Sequence, residues 1–418
     1  MTLLKLIYSF LIHLIKLFLP LFAIGNNKLH EFINGRSKTF KSIKGKSLSN
    51  SSVLWIHSAS LGEFEQCMPL IKMIKNNFKN FKIAVTFFSP SGYKAQKKFK
   101  LVDWVGYLPL DTSSRIKTLI NFMNPQAVIL IKNEYWPNLL FCLKEKKIPV
   151  ISISSRFYNK QFFFRNWAYW FLKSIKTIQE FYTIDLNSKI LLNNIGIKNV
   201  IVSGDTRMDR VLDIYKSKNN LNIIENFLDK KNCWIAGSTW DEDYQLLLNY
   251  INNKNSLKVI IAPHDCSDKS ISSIQKIVQQ PIAKWSTYSD KKDKSKKILI
   301  IDRIGFLKYA YSYAKWAYIG GGMGRKGLHN ILEAAVFGLP IIIGKNYQKF
   351  PEAVDLVKEG GCFSVKNSAE FETVIKYISK EKNYTKIKTL NYEYIKKRDG
   401  ATQKIYNGLK KHLIKPNI

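Results

Sequence analysis

Short apolar stretches of strand length alternate with amphipathic stretches of helix length through most of this 418-residue chain, and that rhythm restricts its fold more than anything else in the sequence. Strands are predicted at 53–57, 82–87, 127–132, 150–154, 182–184 and 200–203. Helices are predicted at 64–78, 92–99, 115–122, 136–146, 162–175 and 188–193. Such alternation implies a parallel sheet with helices on both faces. The rhythm stops over 215–231, a polar, Asn- and Lys-rich stretch that reads as a linker with a short helix. It resumes with strands at 234–236, 259–262, 298–301, 316–319, 340–343 and 361–365. The second set of helices falls at 242–251, 269–278, 306–314, 330–336, 351–359 and 369–379, with 290–297 a charged, solvated loop. Two such halves predict an α/β chain of two Rossmann-like, doubly wound domains facing each other across a cleft. The expected division is an anchor helix at 1–25, a first domain at 26–214, the linker at 215–231 and a second domain at 232–395. A carboxyl-terminal helix at 396–418 is free to pack back on the first domain.

The first residues follow a different rule. Residues 3–24 are almost all apolar, long enough to span a bilayer as a helix, and no small-residue cleavage site follows them. Their polar exceptions, Lys5, Ser9, His13 and Lys16, fall on one helical stripe. A spanning helix gains nothing from that stripe, whereas a helix lying in the interface does. Lys28, Arg36, Lys38, Lys41, Lys44 and Lys46 follow and are expected to lie on an anionic cytoplasmic leaflet.

Lys and Arg number 66 against 31 Asp and Glu, a net charge of +35 that favours anionic partners. Only nine of the cations are Arg, and Lys, Asn and Ile are over-used throughout, so compositional drift accounts for much of the excess. The apolar content, 46%, excludes wholesale disorder. Five scattered cysteines form no C-x-x-C pair and six histidines never cluster, so no metal site and no cofactor are expected.

The motifs that carry chemistry each follow a predicted strand. In Trp55-Ile56-His57-Ser58-Ala59-Ser60-Leu61-Gly62-Glu63, Glu63 stands at a strand's carboxyl end, where a general base belongs; a first-turn acid complementing the helix dipole would sit there too. Glu134, in Asn133-Glu134-Tyr135-Trp136-Pro137-Asn138, holds the equivalent place after the 127–132 strand. Arg207, in Ser203-Gly204-Asp205-Thr206-Arg207-Met208-Asp209, offers a fixed cation or an ion pair with a neighbouring Asp. Gly237-Ser238-Thr239 reads as a phosphate-binding turn, and His264, in Ala262-Pro263-His264-Asp265, as a nucleotide contact or a structural histidine. The most specific segment is Gly320-Gly321-Gly322-Met323-Gly324-Arg325-Lys326-Gly327-Leu328-His329-Asn330-Ile331-Leu332-Glu333. Its glycines let backbone amides approach a phosphate, Arg325 and Lys326 add charge, and Glu333 is placed to accept from ribose hydroxyls; it is not a Walker A loop.

Taken in order, these motifs resemble the Kdo transferases of lipopolysaccharide synthesis, which move 3-deoxy-D-manno-octulosonic acid (Kdo) from CMP-Kdo to a lipid A precursor. The resemblance rests on the amino-terminal anchor, Trp55–Glu63, Glu134–Asn138, Ser154–Phe157, Gly204–Asp209, Gly237–Thr239 and Gly321–Glu333. It implies the two-domain GT-B fold, an inverting transfer with Glu63 as proton acceptor, and Glu134 and Arg207 supporting the transition state. CMP contacts are implied at Pro263, His264, Ile304, Gly305, Phe306, Asn330, Ile331, Leu332 and Glu333, joining Gly237, Ser238, Gly321, Gly322 and Arg325 read above as the donor's phosphate contacts. The chain departs from the family where it reads Pro263-His264-Asp265 rather than P-R-H, and Ile304-Gly305-Phe306 rather than M-G-E. The implied partners are CMP-Kdo, a lipid A precursor and the anionic inner-membrane leaflet, at whose cytoplasmic face the enzyme would be anchored; no nucleic acid and no obligate protein partner are inferred. The alternatives are another GT-B nucleotide-sugar glycosyltransferase or a sugar 2-epimerase, and, third, a non-catalytic basic protein binding membrane or nucleic acid.

Overall fold

A computed structural model describes residues 3–44, 48, 51–94, 99–217, 220–252 and 257–414. The chain divides into two compact units, Met1–Arg210 with Asp399–Ile418, and Val211–Arg398. Each is built on a seven-stranded sheet whose pairings are parallel throughout.

In the first unit the strands are β1 Val53–Ser58, β2 Lys82–Phe87, β3 Trp104–Tyr107, β4 Pro125–Ile131, β5 Val150–Ser155, β6 Glu180–Thr183 and β7 Val200–Val202. Their order, β3-β2-β1-β4-β5-β6-β7, reverses direction between β1 and β4. All six residues of β1 are buried, as a central parallel strand covered on both faces requires. Period-2 alternation splits it between two cores. Val53 and Trp55 face Leu139, Leu140 and Phe181; Leu54 and Ile56 face Phe64, Leu70 and Ile71. The expected helix at 64–78 is two, Leu61–Glu65 and Met68–Asn77, because Pro69 starts a new first turn.

The carboxyl-terminal helix Ala401–Leu413 covers the second of those cores with Ile405, Leu409 and Leu413. Its polar face clamps Glu180, which His412 meets at 3.1 Å and Lys411 at closer range. Burial works to raise the Glu180 carboxyl, but Lys411, Tyr182 and His412 outweigh it and hold the group below its ordinary value.

In the second unit the strands are β8 Cys233–Thr239, β9 Lys258–Pro263, β10 Ile282–Lys284, β11 Ile298–Ile300, β12 Ala314–Ile319, β13 Ile341–Gly344 and β14 Cys362–Val365. The order β10-β11-β9-β8-β12-β13-β14 reverses between β8 and β12. Residues 215–231 hold the end of the helix Thr206–Lys216 and the helix Asn222–Leu228, whose Ile224 and Phe227 are fully buried. The 290–297 stretch, expected as a solvated loop, contains the turn Asp290–Asp293, and Asp293 is buried where it accepts from the Ser289 amide at 2.8 Å.

The amino-terminal helix Leu3–Phe22 is the one helix among the described residues long and apolar enough to cross a membrane, and none of it is buried. The next helix, Asn27–Lys44, corrects one expectation. Arg36 is not on a lipid-facing surface but 3% exposed, boxed by Phe32, Phe88 and Tyr107, with its guanidinium donating to the Phe32 and Phe88 carbonyls. Burial lowers its pKa to about 9. Lys38, Lys41 and Lys44 stay exposed.

Gly408 marks how tightly the carboxyl-terminal helix is seated, since a Cβ there would fall 1.6 Å from Tyr182 Oη. Gly408→Ala is expected to cost about 2 kcal/mol in urea unfolding, and Tyr182→Phe to recover part of that loss.

Candidate active site

In open parallel sheets, ligands bind outside the carboxyl ends of the strands at the point where strand order reverses. In the first unit that point lies at the ends of β1 and β4, the strands that lead to Glu63 and Glu134.

After β1, Ser58 donates to the Ser60 carbonyl (2.9 Å), closing a tight turn into the helix Leu61–Glu65. Glu63 reaches back so that one carboxylate oxygen accepts from the Ala59 amide at 3.0 Å. This is the reach of a capping box, taken one residue further. Its other oxygen lies 3.5 Å from Lys132 Nζ, and the side chain is one-fifth exposed. Lys132 directly follows β4 with φ +60, a backbone conformation uncommon outside glycine. Sequence reasoning did not single out Lys132, yet its ammonium links the two predicted acids.

Glu134 sits in a ring of donors. Trp136 Nε1 donates to Oε2 at 3.2 Å, and His57 Nε2 lies 3.4 Å from the same oxygen. His57 is wholly buried, and the carbonyl and hydroxyl of Thr86 both lie 3.0 Å from its Nδ1. Burial works to raise the Glu134 carboxyl, but His57 and then Trp136 and Lys132 outweigh it and hold the group below its ordinary value.

Side-chain bonds tie the neighbouring turns to this edge. Asn133 Nδ2 donates to the Arg156 carbonyl (2.9 Å), and Ser154 Oγ pairs with Thr206 Oγ1 (2.7 Å). Arg207 stands in the first turn of the helix Thr206–Lys216 that follows β7, where Nε donates to Asp205 Oδ2 at 2.8 Å and Nη2 meets the same oxygen at 2.7 Å. The ion pair with a neighbouring Asp is therefore formed, and the Arg207 charge is shared with Asp205.

In the second unit the sheet reverses at the ends of β8 and β12, the strands that lead into Gly237-Ser238 and Gly320-Gly321-Gly322. The centre here is Asp243, a buried carboxylate that the sequence did not flag. It accepts from the Trp240 amide (2.8 Å), the Gly321 amide (2.9 Å) and Tyr318 Oη (2.7 Å), joining both turns. Burial raises its pKa despite these donors. The Gly321 amide, expected to face a phosphate, is thus committed to Asp243, and the Gly320 amide to the Gly237 carbonyl (2.9 Å). The first turn of the helix Asp241–Asn252 carries Asp241, Glu242 and Asp243, which fill its positive end.

The glycines have a packing reason. A Cβ at Gly320 would fall 2.4 Å from the Ser238 carbonyl oxygen, and one at Gly321, where φ is +90, 2.1 Å from that of Gly327. At Gly322 it would meet the Gly344 amide nitrogen at 2.8 Å. Arg325 and Lys326 remain exposed beyond them. Asn330 accepts from the Leu332 amide (3.2 Å) and donates to Glu333 (3.4 Å). The helix expected at 330–336 shortens to Leu332–Ala335, and the Ile331 and Leu332 side chains are buried in the core.

Trp240, His264 and His329 stack beside this turn, His264 lying 4.4 Å from Trp240 and 4.5 Å from His329 between ring centroids. Trp240 Nε1 donates to His329 Nε2 at 2.9 Å, so His329 carries its proton on Nδ1. Burial, then the neighbouring His264, lowers the His329 pKa to about 4. Burial also lowers that of His264, with Asp265 opposing. Pro263 ends β9. Ile304 is exposed, Gly305 takes φ +106, and Phe306 packs on Trp285 at 4.6 Å. Among the described residues, no three His, Cys, Asp or Glu side chains gather as metal ligands.

Residues 34–210 match the family described as 3-Deoxy-D-manno-octulosonic-acid transferase (kdotransferase). Over 355 residues the chain is 26% identical to the 3-deoxy-D-manno-octulosonic acid transferase of Aquifex aeolicus, covering 83% of this chain and 92% of that protein. The transferase of the same description from Haemophilus influenzae is 24% identical over 380 residues, covering 86% and 87%. That of Rickettsia typhi is 27% identical over 379 residues, covering 87% and 79%. Among solved structures, UDP-GlcNAc 2-epimerase from Neisseria meningitidis superimposes with a TM-score of 0.60 at 16% identity, covering 86% of this chain and all of that one. This last likeness is one of GT-B-type fold.

Two outcomes follow from the second unit. A Cβ at Gly344 would lie 2.3 Å from the Gly322 carbonyl carbon and 2.4 Å from the Met323 nitrogen, with no flexible side chain to yield. Gly344→Ala is expected to cost about 3 kcal/mol by urea unfolding. His329 stays neutral when folded down to about pH 4, whereas the unfolded chain takes up that proton near 6.5. The neutral residue's contribution is complete above pH 6.5 and is lost as pH falls toward 4. In thermal unfolding, His329→Gln should flatten the acid-side fall in Tm; an equally steep fall would place its cause elsewhere.

Proposed function

We propose that this chain, a glycosyltransferase related to the Kdo transferases over most of its length, transfers Kdo from CMP-Kdo to the lipid A precursor with inversion at the anomeric carbon. The observation that carries this reading is the placement of Glu63 and Glu134 at the carboxyl ends of β1 and β4, where the sheet reverses, within motifs that match the family.

The acceptor is a sugar hydroxyl, a weak nucleophile that must lose its proton as it attacks. Glu63 takes that proton, a role worth typically about 10²–10⁴-fold in rate. The new bond forms between the acceptor oxygen and the Kdo anomeric carbon while the bond from that carbon to the CMP phosphate oxygen breaks. CMP departs with the electron pair. Glu134, held ionised by His57 and Trp136, offers a fixed negative charge to the sugar as positive character develops there. Arg207 supports the transition state as the second fixed charge.

In the second unit the donor contacts fall to Pro263, His264, Ile304–Phe306 and Asn330–Glu333. Because Ile331 and Leu332 are buried, they act through their backbone. Charge from Arg325 serves the phosphate. The acceptor's acyl chains remain in the bilayer, so the enzyme works at the cytoplasmic face of the inner membrane with Leu3–Phe22 as its anchor.

The test is to incubate the purified protein with CMP-Kdo and lipid A precursor and weigh the lipid product. A mass gain of one or more Kdo units is expected. Glu63→Gln should reduce the rate by about 10²-fold or more while CMP still raises its Tm. A product unchanged in mass, alongside turnover of UDP-sugars, would overturn the assignment; substantial activity in Glu63→Gln would remove Glu63 as the base.

A further inference from the structure

We infer that the helix Leu3–Phe22 lies in the plane of an anionic leaflet instead of crossing it, and that an aromatic segment at 158–170 shares its lipid contact. This rests on the reading that the chain works at a membrane and says how it sits there.

The helix is tied to the first unit near both of its ends. At one end, Tyr8 Oη donates to Asp111 at 2.9 Å. Asp111 is 1% exposed, and its carboxylate also receives the Asn138 (2.9 Å) and Leu139 (2.8 Å) amides. Asn138 Nδ2 donates to Ser9 Oγ at 3.2 Å, and Lys5 Nζ stands 4.2 Å from the centre of the Phe141 ring. At the other end, Ala23 is buried, and the chain turns at once into the helix Asn27–Lys44. That helix is part of the body: Thr39 Oγ1 accepts the Tyr107 amide (3.0 Å), and Ile43 is 1% exposed. Tethers at residues 5–9 and at 23 hold the helix along about 27 Å of its axis, at 1.5 Å per residue. A helix crossing the hydrocarbon would carry one end about 30 Å from the body, and the Tyr8 and Ser9 contacts would be lost. Lys5 and Ser9, half of the polar stripe seen in the sequence, are turned to the protein and not to head groups.

The outward face has the opposite chemistry. Leu3, Phe10, Leu17 and Leu21, spaced seven, seven and four apart, are 61–71% exposed along one side. Beside it, Trp170 packs on Tyr8 with ring centroids 5.2 Å apart, and the same segment exposes Phe162, Trp167 and Tyr169. Exposed Trp and Tyr beside an apolar helix suit the boundary between acyl chains and head groups. Lys160, Arg165 and Lys173 stand exposed among them, matched to anionic phospholipid.

Two measurements on the full chain test this. In inverted inner-membrane vesicles the body faces outward. A protease-cleavable tag ahead of Met1 should be cut by added protease if the helix lies in plane. Protection of the tag until detergent is added would overturn the in-plane arrangement. Separately, Trp167→Ser with Tyr169→Ser should weaken sedimentation with phosphatidylglycerol vesicles several-fold while leaving transfer in detergent unchanged. Undiminished vesicle binding would overturn the role of the aromatic segment. Loss of transfer by the native chain in detergent would instead overturn the assigned activity and leave the orientation standing.

Discussion

A parallel sheet covered on both faces leaves its side chains almost no room for chemistry except at the strand ends. Both sheets here obey that constraint. In each, the flanking layers occupy the strand faces with Ile, Val, Leu and aromatic side chains, so polar groups that must meet a ligand are confined to the turns. Where strand order reverses, neighbouring connections diverge and open a space that only those turns line. Glu63, Lys132 and Glu134 occupy that place in one unit; Ser238, the glycines 320–322 and Asp243 occupy it in the other.

The turns still need fixing, and buried polar groups do it. His57 and Asp243 are both wholly buried: His57 bonds to Thr86 on β2 and stands 3.4 Å from Glu134, while Asp243 is bonded to groups from two connections. An unpaired polar group in such a place would cost far more than a typical hydrogen bond returns. Satisfying them therefore constrains the turn geometry. The glycine cluster belongs to the same scheme. Its first members let three backbone segments approach within contact distance, and only beyond them does the loop turn exposed cations outward.

Position relative to a strand end is a local property, and so Glu63, Glu134 and the Gly-rich turn were legible in the sequence. Their partners are set by pairings between distant segments and were not. Nothing local marks Lys132 as the cation at Glu63, Asp243 as the acceptor for Gly321, or Arg36 as destined for a box of Phe32, Phe88 and Tyr107. Strands followed the same division. The two that escaped the sequence, Trp104–Tyr107 and Ile282–Lys284, are both sheet edges. Edge strands are short and buried less completely, so the apolar run that announces a central strand is missing; one contains a glycine and the other has three residues.

The two acids differ in how their charge is supported, and the division of labour proposed for them rests on that difference. Glu134 is held by an imidazole, an indole N–H and a nearby ammonium, and a carboxylate so stabilised gives up its charge reluctantly. It suits a fixed charge and makes a poor proton acceptor. Glu63 has a lighter set of partners, one backbone amide and an ammonium 3.5 Å away on a side chain that is two-fifths exposed. Lysine is a flexible point charge, free to turn to an anionic group on an arriving substrate. Under the proposed mechanism, an anionic group arriving with the substrate would therefore compete with Glu63 for Lys132.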